Sequence, residues 1–232
     1  MASIVGSAQQ TTVSLASEGT QRQVRLTRDG AVITMDWIDA AIVQGICHGA
    51  QTGTGTTPDT LNPVYGDALQ DFYLYVPAGT VIRPLYIGVA LEDTGSILAV
   101  DTLAAYSTNG DANPTGTGLT VYNYKTLASP ATSCVATAVV TSTGTTHLGG
   151  TDFLEFWRPY AGLINDNGGS ALAVNNDGES GPGGAHWSAK DYPSPVIGSA
   201  GTDCALSIFA GAQAGIGFIT VVWAEYSAAQ FA

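Results

Sequence analysis

An all-β fold is what this sequence predicts: an antiparallel β-sandwich, jelly-roll-like, with long Gly/Thr-rich loops and few short helices. Three observations carry the expectation. Apolar and polar residues alternate with period two over many short runs, as they must on a strand with one face in a core. Gly, Asn, Asp and Pro clusters separate those runs at short intervals. The repeated amphipathic helices of a dozen residues that a parallel α/β fold needs as crossovers are missing.

Taken in order, residues 1–20 are rich in Ser, Thr and Gln without a period. They read as an N-terminal arm, frayed or laid on a neighbouring subunit, ahead of a single domain over 21–232. QRQVRLTRDGAVITMDWI reads as a hairpin about Asp29-Gly30, with Ile33, Met35 and Trp37 on one side of its second strand. WIDAAIVQGI can instead open a short helix, because Ile38, Ile42 and Ile46 recur every four residues. Residues 49–60 read as a loop. DFYLYVPAGTVIRPLYIGVAL gives two strands about Pro77-Ala78-Gly79, and Pro84 inside the second marks an edge, a bulge or a break.

After a turn at Asp93-Thr94-Gly95, SILAVDTLAAY, LTVYNYKTL and SCVATAVVTST read as strands, with a loop over 109–118. TDFLEFWRPYAGLI is mixed and open to a helical turn. Residues 165–185 are dominated by turn residues, and CALSIFA and GFITVVWAEY close the chain as two strong strands. Within the second, Phe218, Val222 and Tyr226 share one face and Ile219, Val221 and Trp223 the other. Both faces are apolar, so this strand is expected at the centre of a sheet. Roughly eight to ten candidate strands favour a jelly roll among sandwiches. An immunoglobulin-type unit is the alternative, but its Cys–Trp–Cys spacing is not matched.

Composition bounds the function. Net charge is −12, with 7 Lys and Arg in 232 residues. That excludes the broad phosphate neutralisation nucleic-acid binding requires, except locally at Arg22, Arg25 and Arg28, and it disfavours anionic membranes. No run approaches the length of a membrane span. Charged residues are only 11% of the chain. Interface cores are depleted in Lys, Glu and Asp, so large areas are expected to be covered in a homo-oligomer, trimeric or higher. The opening MASIVGSAQQTT lacks the basic and apolar regions of a secretory leader. Cys47, Cys134 and Cys204 read as buried thiols made in a reducing cytoplasm, with one disulfide plus one free thiol as the alternative.

No catalytic, cofactor-binding or metal residue is assigned, and no cofactor is expected. His48, His147 and His186 fall in no metal-ligand spacing, and Cys47 and His48, being adjacent, point to opposite faces of a strand. No GxSxG elbow, Walker loop or dinucleotide fingerprint occurs. The Gly/Thr stretches at 52–57 and 115–118 lack a phosphate-cradling Lys and read as loops. Asp36 with Asp39, and Asp152 with Glu155, share a face only on a helix. Asn165–Asn167 and Asn175–Asp177 with Glu179 offer oxygen ligands, but they do not follow the EF-hand series and read as turns bonding their own backbone. Trp37 and Trp223 lie in apolar runs and are expected in the core, and Trp187, next to GPGG, is the aromatic expected to be exposed.

YVPAGTVIRPLYIGVAL (75–91), GIGFITVVWAEY (215–226) and the abundance of Thr, Gly and Ala with few charges resemble the virion structural proteins of bacteriophages: capsid, decoration or fibre-associated. The resemblance implies a non-enzymatic shell subunit that contacts other virion proteins, made in the host cytoplasm and located in the virion. A carbohydrate-binding or adhesion domain, holding a surface glycan through exposed aromatics, is the alternative. A glycoside hydrolase built from loops is a third reading, with Asp166 and Asp177 the acids to inspect.

Overall fold

The computed structural model describes residues 36–66, 68–93, 100–126, 131–143, 152–161, 184–211 and 215–231. The expected arm, the hairpin as far as Met35, the turn at 94–95 and residues 165–183 lie outside the described residues, as do Arg22, Arg25, Arg28, His147, Asp166 and Asp177.

One helix, α1 (Trp37–Gln44), precedes the strands. Asp36 caps it, its side chain accepting the Ile38 N–H at 2.9 Å, and Gly45 ends it in the left-handed conformation. The helical option of the sequence therefore wins over a strand through Trp37 and Ile38. The strands are β1 (Cys47–Gln51), β2 (Asp59–Thr60), β3 (Phe72–Val76), β4 (Thr80–Asp93), β5 (Val100–Ser107), β6 (Thr115–Gly118) and β7 (Tyr122–Asn123). They continue with β8 (Val135–Ser142), β9 (Phe153–Trp157), β10 (Tyr160–Ala161), β11 (Gly184–Ser188), β12 (Ile197–Gly198), β13 (Cys204–Gly211) and β14 (Ile216–Ser227). A 3-10 turn (Ala228–Gln230) follows. Several expectations shift. The loop assigned to 49–60 begins only after β1, and 115–118 is a strand. Within TDFLEFWRPYAGLI the described residues 152–161 form β9 and β10 rather than a helical turn, and among the described residues of LTVYNYKTL only Tyr122–Asn123 are ladder-paired.

Two antiparallel sheets result. The first runs β11-β4-β14-β1-β7, with β12 also on β4 and β2 on β14. The second runs β10-β5-β13-β3-β8-β6, with β9 also on β5. The pairing is nested: β1 pairs β14, β3 pairs β13, β4 pairs β11 and β5 pairs β9, all antiparallel. The first four of these strands thus meet the last four in reverse order, like one long hairpin rolled over itself.

Both sheets contribute to a single core, as in a β-sandwich. Ile87, Val89, Ile219 and Trp223 enter it from the first sheet, and Phe72 and Leu206 from the second. β14 is the middle strand of the first sheet's path, as its two apolar faces require. Its Ile219, Val221 and Trp223 point inward, while Val222, Ala224 and Tyr226 lie against α1. Pro84 is accommodated by a bulge: Val222 opposes Tyr86 and Trp223 opposes Pro84, so Leu85 is the extra residue. The bulge turns Leu85 outward to seat Ala41 and Ile42 of α1.

Candidate functional site

The strand register across the outer face of the first sheet sets up a groove. One row runs His186–Gly88–Thr220–Gln51 through β11, β4, β14 and β1. The next row runs Ser188–Tyr86–Val222–Gly49–Tyr122 and reaches β7. Small residues and glycines floor the groove, while in the second row α1 packs on Val222 and the Tyr124 ring closes over Gly49. The Tyr86 and His186 rings lie nearly parallel, 6.3 Å between centroids and 18° between planes. Tyr86, Tyr122 and Tyr124 are exposed.

Each end of the groove opens into a cavity. The end at β11 and β4 holds about 340 Å³ around Tyr86, Gly88, His186 and Thr220. The other end holds about 560 Å³ where the edges of the two sheets meet, between Gln51, Asp59, Thr117, Thr120 and Tyr122. Both Gly/Thr stretches read as loops, 52–57 and 115–118, help to wall it. The Asp59 carboxylate accepts the Gly53 N–H at 2.7 Å and so holds the 53–57 turn in place. Thr220 Oγ1 donates to Gln51 Oε1 at 3.3 Å, which links the two ends. Among the described residues Asp59 is the one carboxylate lining either cavity, and no Lys, Arg or Cys lines them.

A third cavity, about 260 Å³, lies between α1, Arg83, Tyr226 and Phe231. The Arg83 guanidinium sits 4.3 Å from the Trp37 ring centroid, a cation–π contact.

Of the residues weighed from sequence, His186 and the two Gly/Thr stretches line these cavities, and the other described ones fall elsewhere. Cys47 and His48 do point to opposite faces of β1: Cys47 joins the cluster under α1, and His48 stacks on Trp223 at 6.1 Å. Burial lowers the His48 pKa, opposed by the nearby Glu225 carboxylate. Asp36 is a helix cap, and Glu155 pairs with Arg158 at 3.2 Å. Two tryptophans exchange the places expected of them. Trp187 is 1% exposed and packs edge-on against Phe156 at 5.6 Å. Proximity to GPGG was misleading because β11 already begins at Gly184, and pairing with β4 sends Ala185 and Trp187 inward and His186 outward. Trp37 is 37% exposed because it opens a helix rather than continuing a strand. The three thiols are free and buried, and burial pushes Cys47 up to about 11.

One buried acid gave no sequence signal. Asp71 is 1% exposed and accepts the Asn62 and Ala210 N–H groups, each at 2.6 Å. Desolvation outweighs these two donors and raises its pKa to about 7. It ties the segment after β2 to β13 and lines neither cavity of the groove.

No protein-family model, curated protein or solved structure matches this chain. Function is therefore argued from the geometry: a groove of aromatic rings, hydroxyls, a carboxamide and the single Asp59 carboxylate on a closely packed double sheet. Such a surface is suited to binding. Hydrolysis of a glycoside by the usual pair of acids needs a second carboxylate roughly 5–9 Å from the first, and the described lining supplies Asp59 alone.

Proposed function

We propose that this chain is a non-enzymatic structural subunit of a virion or similar shell, with a jelly-roll fold. The nested strand pairing carries the reading. A jelly roll is an antiparallel hairpin rolled into two sheets, and the four nested pairs β1–β14, β3–β13, β4–β11 and β5–β9 fit it. β6 and β8 then form an addition at the edge of the second sheet, on the far side of β3. Jelly rolls serve as shell proteins, as lectins and as cupin enzymes.

The interior between the sheets favours the first two of these uses. Phe72, Leu74, Trp187, Leu206, Ile219 and Trp223 fill it, each at most 1% exposed. Exposed apolar side chains supply contacts to neighbours. Trp37 and Phe231 are 37% and 40% exposed at the α1 cavity, and Val43, on α1, is 56% exposed. The bacteriophage resemblance of residues 75–91 and 215–226 adds the virion as the setting, with synthesis in the host cytoplasm.

The test compares the full chain with Val43→Glu and Phe231→Glu by negative-stain electron microscopy and sedimentation. Closed oligomers or particles are expected for the parent, with loss of assembly but retained melting temperature in at least one variant. A parent chain that stays a single subunit at every concentration overturns the proposal.

A further inference from the structure

We propose that the outer face of the first sheet binds a neutral oligosaccharide, laid across β11, β4, β14 and β1 between the Tyr86–His186 pair and Tyr122. The inference stands independently of the shell reading. It starts from the way two tyrosines are held. A Cβ built on Gly88 would come within 2.6 Å of Tyr86 Oη and 2.7 Å of its Cε1. A Cβ on Gly49 would come within 2.7 Å of Tyr124 Cε2. The edge of each ring therefore closes over a glycine, and both glycines are buried. Closed over their glycines, Tyr86 and Tyr124 still remain 38% and 51% exposed. With His186 nearly parallel beside Tyr86, the groove has a pair of aromatic rings at one end and Tyr122, 50% exposed, at the other.

That pattern suits a sugar. A pyranose carries a face of C–H groups that stacks on an aromatic ring and a rim of hydroxyls that needs donors and acceptors at its sides. The rim partners here are the Gln51 carboxamide, the Thr220, Thr117 and Thr120 hydroxyls and the Asp59 carboxylate. A few placed polar groups beside apolar walls is the general make-up of a small-ligand site.

Charge selects among sugars. No cation lines either cavity among the described residues, and the chain carries −12 overall. Sialylated, sulfated or phosphorylated glycans meet repulsion with nothing to offset it. Length selects as well. Tyr86 on β4 and Tyr122 on β7 are three strand spacings apart, about 14 Å, so several linked sugars are needed to touch both.

Isothermal titration of the intact protein tests this with cellohexaose, maltohexaose and chitohexaose as neutral probes and sialyllactose as the anionic one. The expected result is that at least one hexaose binds, and that its disaccharide binds more weakly. Tyr86→Ala and Tyr122→Ala should each weaken it about fivefold or more, the worth of one aromatic stacking contact, with melting temperature unchanged. Tyr192→Ala, exposed but outside the groove, should leave binding as it was. Three results each overturn the proposal: no neutral hexaose binds at millimolar concentration, the Tyr86/Tyr122 double variant binds as the parent does, or sialyllactose binds best. A loss of native oligomer in that double variant, without sugar binding in the parent, assigns the face to a second copy of the chain instead.

Discussion

Replacing Asp71 by Asn should change how stability depends on pH more than it changes stability itself. Asp71 is buried, and its carboxyl titrates near 7 in the folded chain against an ordinary value of 3.8. A raised folded pKa means that folding favours the protonated form. The stabilisation is complete below about pH 4, declines as pH rises, and is gone above about 7. The shift of roughly three units corresponds to about 4 kcal/mol. Asp71→Asn stays neutral at every pH and lacks this gradient. It also places an NH₂ group against one of the two N–H donors now accepted by the carboxylate, which costs about 1–3 kcal/mol. Urea unfolding of both proteins from pH 4 to pH 8 separates the two effects, because subtraction removes the other carboxylates. Wild type should be the more stable at pH 4, and the difference should move toward the variant by about 4 kcal/mol by pH 8. A difference that is constant across the range refutes the reasoning, since it would mean that the two N–H groups hold the carboxylate ionised throughout.

Three further outcomes follow from the packing. Trp223→Ala, at a fully buried site stacked on His48, should cost roughly 3–5 kcal/mol by chemical denaturation. Asp36→Ala removes the cap of α1 and should cost about 1 kcal/mol, read as a lower melting temperature. Cys47, Cys134 and Cys204 are buried, and desolvation raises all three thiol pKa values. A thiol-reactive dye at pH 8 should therefore label all three only after unfolding in guanidinium, and fast labelling of the folded protein contradicts their placement.

Much of the fold was legible because its central strands carry strong patterns. β3, β4, β13 and β14 were readable from alternation and from the Pro77-Ala78-Gly79 turn. The two apolar faces of β14 correctly placed it mid-sheet, and Pro84 correctly signalled an irregularity. What the sequence hid has physical reasons. Trp37–Gln44 fits both periods over so short a span, and the Asp36 cap decides it. The direction of Trp187 is not legible in the sequence because it depends on where the strand starts, and that is set by pairing with β4. The groove was invisible because its parts, Gln51, Gly88, Tyr122, His186 and Thr220, come from five strands and meet only through register. The Gly/Thr stretches that wall it have no large side chains and so no readable period. Asp71 looks like any acid ahead of a strand until the segment carrying Asn62 closes over it.

The assembly reading is tested most directly by the native mass of the full chain at micromolar concentration. A defined multiple of 23.7 kDa is expected, three subunits or more, held by contacts burying upwards of about 1,000 Å² each. A mass of 23.7 kDa that persists up to the highest soluble concentration contradicts it.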